Sequence, residues 1–330
     1  MPLPNQAHKL ARQLFPEDEA RRQAFTEALE RGGAQRHALI WMRERPEPPP
    51  FQILPPPPWQ PAFVDQLVEG QQAGQHPLHE AGSYYCLDMS SVFAASVMSA
   101  IALDSPAVVV DVCAAPGGKS VFAWRLLKPA RLVANETIRK RTRPLIENLS
   151  RCGVSPAVVT SCDPAVLADA CGPCAPVVIV DAPCSGQSLI ARGKENAGCF
   201  HPATINLNAN RQRRILAHSA RIVAPGGYLV FITCTYAEKE NEGNARWFLR
   251  QHGDFSAVPV AAMEAHQSHL AGFPCYRLWP QDGIGAGAFA VLFRRAGVIE
   301  AGTLPSERLQ PVWSSAEGKA RAEQPSRSSR

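Results

Sequence analysis

The segment Ala107-Val-Val-Val-Asp-Val-Cys-Ala-Ala-Pro-Gly-Gly-Lys-Ser120 decides the fold. AVVVDV (107–112) is a β-branched apolar run of the length expected for a strand buried on both faces. Gly117 and Gly118 then form a turn, and SVFAWRLL follows as a helix. A glycine turn feeding a helix N-terminus lets a ligand approach bare backbone N–H groups. Two familiar nucleotide loops do not fit. A Walker A loop needs glycine five residues before Gly118, where Cys113 stands. A dinucleotide fingerprint needs GxGxxG, which is absent.

The same alternation continues downstream. RLVANE (131–136), AVVTSCD (157–163), PVVIVDAP (176–183) and YLVFITCT (228–235) read as strands, with helical stretches between them, and FAVLFRR (289–295) reads as a late strand. Strand, helix and strand at this spacing predict right-handed βαβ units: an α/β fold with a mostly parallel sheet and helices on both faces. Ligands bind such sheets outside the carboxyl ends of the strands. Asp111, Glu136, Asp163, Asp181 and Cys234 each close a predicted strand. One strand-end acid alone reads as a cap for the next helix. Four at successive strand ends predict a ligand crevice. Glu136, some twenty residues past the glycine turn, stands where a carboxylate grips two ribose hydroxyls. Asp163 is placed to accept from an adenine amino group.

The flanks read differently. Residues 1–45 predict helices, with Leu10, Leu14, Phe15, Phe25, Leu29, Ala38, Leu39 and Trp41 on their apolar side. PEPPPFQILPPPPWQP (46–61) predicts an extended arm, because proline removes donors and fixes φ. The expected organisation is a small helical N-terminal extension with a proline-rich arm (1–80), a catalytic α/β domain (81–297), and a disordered tail (298–330).

Of 330 residues, 45% are hydrophobic, enough for a sizeable core. A net charge of +5 permits a polyanionic partner without demanding one. No stretch matches a membrane helix and no signal core is visible, so a soluble, cytoplasmic monomer without membrane contact is expected. The ten cysteines sit singly in apolar segments and read mostly as small buried hydrophobes. Cys171-Gly-Pro-Cys174 has thioredoxin-like spacing, but a strand follows it where a redox centre needs a helix. No second pair stands at zinc-ribbon spacing, so no metal is expected.

DVCAAPGGKS, VDAPCSG and FITCTYAEKENE, in this order and spacing, resemble the motifs of the RsmB/NOP/Sun family of RNA cytosine-C5 methyltransferases. The likeness spans roughly residues 80–295, including RLWPQDGIGAGAFAVLFR. It implies a class I, Rossmann-like methyltransferase fold. It also implies S-adenosyl-L-methionine over Cys113, Ala114, Ala115, Pro116, Gly117, Gly118 and Lys119, with Glu136, Asp163 and Asp181 as further cofactor contacts. The chemistry implied needs a thiolate that adds to carbon 6 of cytosine, an acid at N3 and a base for the carbon-5 proton. Cys184, in Asp181-Ala-Pro-Cys-Ser-Gly, and Cys234, in Thr233-Cys-Thr235, both follow adjacent predicted strands. The residues alone do not say which attacks. The family pattern implies Cys234 as nucleophile, Cys184 as the cysteine that assists release, and Asp181 as the group on the N3 edge.

The partner implied is RNA, ribosomal in preference to transfer RNA. A tRNA enzyme, or a non-catalytic RNA-binding or assembly factor on the same fold, is the alternative. Three basic groups are candidate RNA contacts: Arg211, Arg213 and Arg214; Arg139–Arg143; and Arg192 with Lys194. Each group alone reads rather as a solvated face. The loop Ser185–His201 is preferred because it adjoins the crevice, which makes Arg192, Lys194 and His201 the expected substrate contacts.

Overall fold

The computed structural model describes residues 3–33, 35–299 and 308–315. The chain opens with helices α1 (Asn5–Leu14) and α2 (Glu19–Arg31). Ala7, Leu10, Ala11 and Leu14 form the buried stripe of α1. Asp18 caps α2 by accepting from Arg21 N–H at 2.8 Å. The helical reading of 1–45 fails beyond that point. His37–Trp41 is a strand, β1, which pairs antiparallel with β2 (Val64–Gln66) and, after the short helix α3 (Pro77–Glu80), with β3 (Tyr84–Asp88). The period is two: Ala38 and Ile40 enter the main core, while Leu39 and Trp41 pack with Leu67 and Tyr84. The proline arm drapes over this small sheet, and its Trp59 is buried edge-on against Phe93, 5.2 Å between ring centres. Helix α4 (Met89–Ala95) follows, capped by Asp88.

The alternating part of the chain forms as expected. Its elements are β4 (Val108–Asp111), α5 (Gly118–Leu127), β5 (Arg131–Asn135), α6 (Arg139–Arg151), β6 (Ala157–Thr160), α7 (Pro164–Cys171) and β7 (Ala175–Asp181). After these come α8 (Ser188–Ala191), α9 (Pro202–Ala220), β8 (Val223–Thr233), α10 (Glu242–Gln251), β9 (Phe255–Ala257), β10 (Tyr276–Leu278) and β11 (Ala288–Arg295). The strand order is β10-β11-β8-β7-β4-β5-β6, with β4 through β8 parallel and β9, β10 and β11 antiparallel additions. The chain leaves β4 toward one edge and returns to the other side at β7. The switch point therefore lies between the ends of β4 and β7, where such sheets open a binding crevice. Alternate residues of the strands feed two cores, one on each face: Val109, Val177 and Ile179 on one side, Val110, Val178 and Val180 on the other.

The expected disordered tail needs correction in part. Pro311–Ser314 forms β12, antiparallel to β6, and Ser315 Oγ accepts from Ala157 N–H at 2.9 Å. This strand covers what would otherwise be an open edge of backbone donors and acceptors. The rest of that segment, 300–307 and 316–330, lies outside the described residues. Among the described residues no helix is long and apolar enough to cross a membrane.

Candidate active site

The loop after β4 is held from below. Asp111 is fully buried. It accepts from Ser120 Oγ at 2.6 Å and faces Cys113 N–H at 3.4 Å. Burial pushes its carboxyl up to about 7. Asp111 therefore fastens the loop to α5 and does not face the crevice, contrary to its reading as one of the crevice acids. Asn135 was not singled out from sequence, yet it ties three strand ends together. Its Nδ2 donates to Val112 O and Cys162 O, and its Oδ1 accepts from Thr160 Oγ1 and Cys162 N. Gly117 sits at φ +114, a left-handed conformation that permits the turn into α5. Cys113, Ala114, Ala115 and Pro116 supply the backbone of the turn.

Glu136, just past β5, is buried; one oxygen accepts from Ile138 N–H at 2.8 Å and the other meets Arg141 at 3.1 Å. Arg141 also donates to Ala115 O at 2.8 Å, so one guanidinium couples the acid to the loop. Asp163 does not close β6, which stops at Thr160. It is exposed and caps α7, accepting from Ala165 N–H at 2.9 Å. Both roles of this acid therefore coexist at the sequence level, and the capping one is what the geometry displays.

The candidate catalytic side chains gather where β7 and β8 end. Lys119 Nζ lies 2.8 Å from Asp181 Oδ2 and 3.3 Å from Ser91 Oγ. Burial pulls the Lys119 ammonium down, but the Asp181 carboxylate beside it outweighs that, and the ammonium stays above its ordinary range. The two sulfurs of Cys184 and Cys234 are 3.2 Å apart, both as free thiols. The pair is not symmetric. Hydrogen bonding from Cys184 lowers Cys234, with Lys119 and Ser188 acting in the same direction, whereas Cys184 is raised well above its ordinary value by that same hydrogen bond, by burial and by nearby Glu240. Of the two sulfurs, Cys234 is the one that gives up its proton more readily and Cys184 the one that keeps it.

Behind the sulfurs stands a buried polar frame that the sequence did not reveal. Glu240 accepts from Ser185 N–H at 2.9 Å, Ser185 Oγ at 2.5 Å and Gln212 Nε2 at 2.9 Å. Gln187 Oε1 accepts from Tyr236 and Ala237 N–H, and its Nε2 donates to Cys199 O. Asn241 bridges Thr233 and Thr235 on either side of Cys234. The Ser185–Glu240 and Gln187–Tyr236/Ala237 links join the segment after Cys184 to the segment after Cys234. The only sequence signal was the acid-rich run after Cys234, whose apolar surroundings come from tertiary packing.

The expected RNA contacts divide. Arg192 is paired with Asp88 at 3.3 Å and is largely buried, so it is a poor RNA contact as placed. Lys194 and His201 are exposed on the wall of a cavity of about 710 Å³. His201 also caps α9 through Nδ1. Arg213 is held by Asn244 and lies over Trp247, while Arg143 pairs with Glu147. Cys171 and Cys174 are buried in the core. Among the described residues no group of three His, Cys, Asp or Glu side chains is placed to hold a metal.

Parallel sheet, loop and strand-end acids define a class I, Rossmann-like methyltransferase scaffold. The chain of "NSun6 from Pyrococcus horikoshii with SFG" shares this fold at a TM-score of 0.73 and 18% identity, over 90% of this chain and 99% of that one. A "methyltransferase homolog protein" from the same organism superposes at 0.69 with 21% identity, over 88% and 98%. The family model described as 16S rRNA methyltransferase RsmB/F matches residues 98–294, and the chain belongs to that family. Ribosomal RNA small subunit methyltransferase F of Pectobacterium atrosepticum is 31% identical over 254 residues, 74% of this chain and 52% of that protein. Its namesake from Serratia proteamaculans is 31% identical over 208 residues, 62% and 43%. The chain thus spans about half the length of the curated relatives it matches.

Proposed function

We propose that this protein transfers a methyl group from S-adenosyl-L-methionine to carbon 5 of a cytosine in small-subunit ribosomal RNA. The observation that carries the reading is the Cys184–Cys234 sulfur pair at 3.2 Å, beside the Lys119–Asp181 ion pair. A structural cysteine gains nothing from a second thiol and a buried ammonium; a nucleophile gains its thiolate. The choice of ribosomal RNA is supported by the family description and the names of the relatives.

The donor set fits the cofactor. The loop Cys113–Lys119 offers bare backbone, Glu136 a carboxylate for vicinal hydroxyls, and Asp181 at the end of β7 and Asp163 past the end of β6 further acceptors. When bound, S-adenosylmethionine supplies an electrophilic methyl group for carbon 5. The residues do the rest. The Cys234 thiolate adds to carbon 6, and the ring takes a proton at N3 from the Asp181–Lys119 pair, which holds that edge. Carbon 5 thereby becomes nucleophilic. On release a base takes the carbon-5 proton, the C–H electrons restore the carbon 5–carbon 6 double bond, the N3 proton returns to the Asp181–Lys119 pair and the carbon–sulfur electron pair returns to Cys234; Cys184, 3.2 Å from Cys234, serves as that base after passing its own proton to solvent.

The test separates the two thiols. Purified Cys184→Ala, incubated with cofactor and ribosomal RNA, is expected to accumulate a covalent protein–RNA band on a denaturing gel. Cys234→Ala is expected to give neither band nor 5-methylcytidine. An adduct in Cys234→Ala and none in Cys184→Ala would reverse the assignment, and wild-type protein that labels no cytidine in any RNA would sink the reading.

A further inference from the structure

The cavity of about 710 Å³ lies outside the machinery just described, and neither catalytic cysteine, Asp181 nor Lys119 lines it. One wall comes from the N-terminal extension: Leu3, Leu29, Glu30, Arg31 and Gly32. The other comes from the loop that follows Cys184, from Ile190 through Lys194 and Glu195 to Phe200 and His201. We propose that this cavity is a subsite for one unpaired RNA nucleotide next to the target cytosine, its base against the apolar floor and its phosphate against Lys194 and Arg31. The proposal rests on the RNA methyltransferase reading and deepens it.

Three observations carry it. The volume lies in the range of small-ligand sites and exceeds what ordered water alone needs. The chemistry of the walls matches a nucleotide: Leu3, Leu29, Ile190 and Phe200 are apolar, while Arg31 and Lys194 are exposed cations. Neither Arg31 nor Lys194 has a carboxylate within salt-bridge distance among the described residues, although Glu30 and Glu195 also stand on the walls. Cations left unpaired above an apolar floor suit a phosphate attached to a base. The third observation is mechanical. Asn196, on the cavity wall, donates to Ser185 O and Gly186 O, directly after Cys184. Cys199, also on the wall, accepts through its carbonyl from Gln187, which in turn holds Tyr236 and Ala237 after Cys234. An occupant of the cavity is thus braced against both cysteine loops, so filling it would set the register of the neighbouring base at the sulfurs.

Binding without chemistry tests this. The probe is a fluorescein-labelled, unstructured heptaribonucleotide with one central cytosine, compared with versions lacking the base at each flanking position in turn. Anisotropy titration of the full chain is expected to show about tenfold weaker binding when one particular flanking base is missing. Ala197→Trp, at an exposed position on the wall, is expected to fill the cavity, weaken the parent RNA to the same level and erase the difference between parent and abasic RNA. Lys194→Glu is expected to weaken all the RNAs and flatten their salt dependence. Circular dichroism of each variant verifies the fold. Equal affinity for every abasic RNA, or an unchanged base dependence in Ala197→Trp, overturns the subsite. Failure of the methyltransferase reading looks different: wild-type protein forms no 5-methylcytidine, whatever the binding titrations show.

Discussion

At the scale of single residues, environment assigned work that residue type could not. Asp111, Glu136, Asp163 and Asp181 look alike as strand-end acids, yet one fastens a loop, one is clamped by Arg141, one caps a helix and one is paired with Lys119. Depth below the sheet edge decides among these roles, and depth is not written in a local pattern. The cysteines behave similarly: Cys184 and Cys234 were legible as a pair, but only their surroundings distinguish them. A pH prediction follows from the direction of the shifts. Cys234 is lowered, so its thiolate persists below the ordinary thiol range, while Cys184 stays protonated there. Iodoacetamide at neutral pH is therefore expected to label Cys234 well before Cys184, as read by peptide mass spectrometry. Removing the donor with Cys184→Ala should move the labelling of Cys234 to higher pH. An unmoved profile would show that the contact between the sulfurs does not set the reactivity.

At the scale of elements, the parallel strands were readable because each is a short apolar run bounded by turns. The exceptions have a common cause. The local pattern of β1 resembles a helix and that of β12 a disordered tail because their partners are remote: β1 needs Val64–Gln66 and Tyr84–Asp88, and β12 needs Ala157–Thr160. Pairing across such distances overrides local pattern. The helical extension packs against the segment that follows Cys234. Phe25 of α2 is fully buried, stacks edge-on against Tyr236 at 5.0 Å, and packs beside Trp279. Tyr236 stands two residues after Cys234. Phe25→Ala is expected to cost about 3–5 kcal/mol of stability. It is also expected to lower methyl transfer at temperatures where the variant remains folded. Thermal melts and rates measured on the same sample check both, and a stability loss with full activity would show the extension to be packing alone.

At the scale of the whole molecule, α1 and α2 pack beside the site at the end of β8, while β12 lies on the far edge of the sheet. The family match begins at residue 98, so the extension and its small sheet lie outside the matched region. Their fit to it was legible only as composition, since proline arms and short helices carry no record of what they cover. Glu242 and Arg277 form a fully buried ion pair that joins α10 to β10, and Arg277 also donates to Tyr236 O. The strands of the late antiparallel edge are thereby tied to the reaction centre. One consequence concerns the chemical setting in which such a molecule works. Two thiols with sulfurs 3.2 Å apart need to move only about 1 Å to bond. Hydrogen peroxide is expected to take two electrons and two protons from the pair, giving two waters and a Cys184–Cys234 cystine. The polypeptide would stay folded and silent until a dithiol restored it. Loss of activity that dithiothreitol reverses, with a mass lower by two hydrogens, is the expected result; irreversible loss would mean over-oxidation of Cys234 instead. Placing both sulfurs close enough to cooperate thus couples methyl transfer to the reducing power of its surroundings.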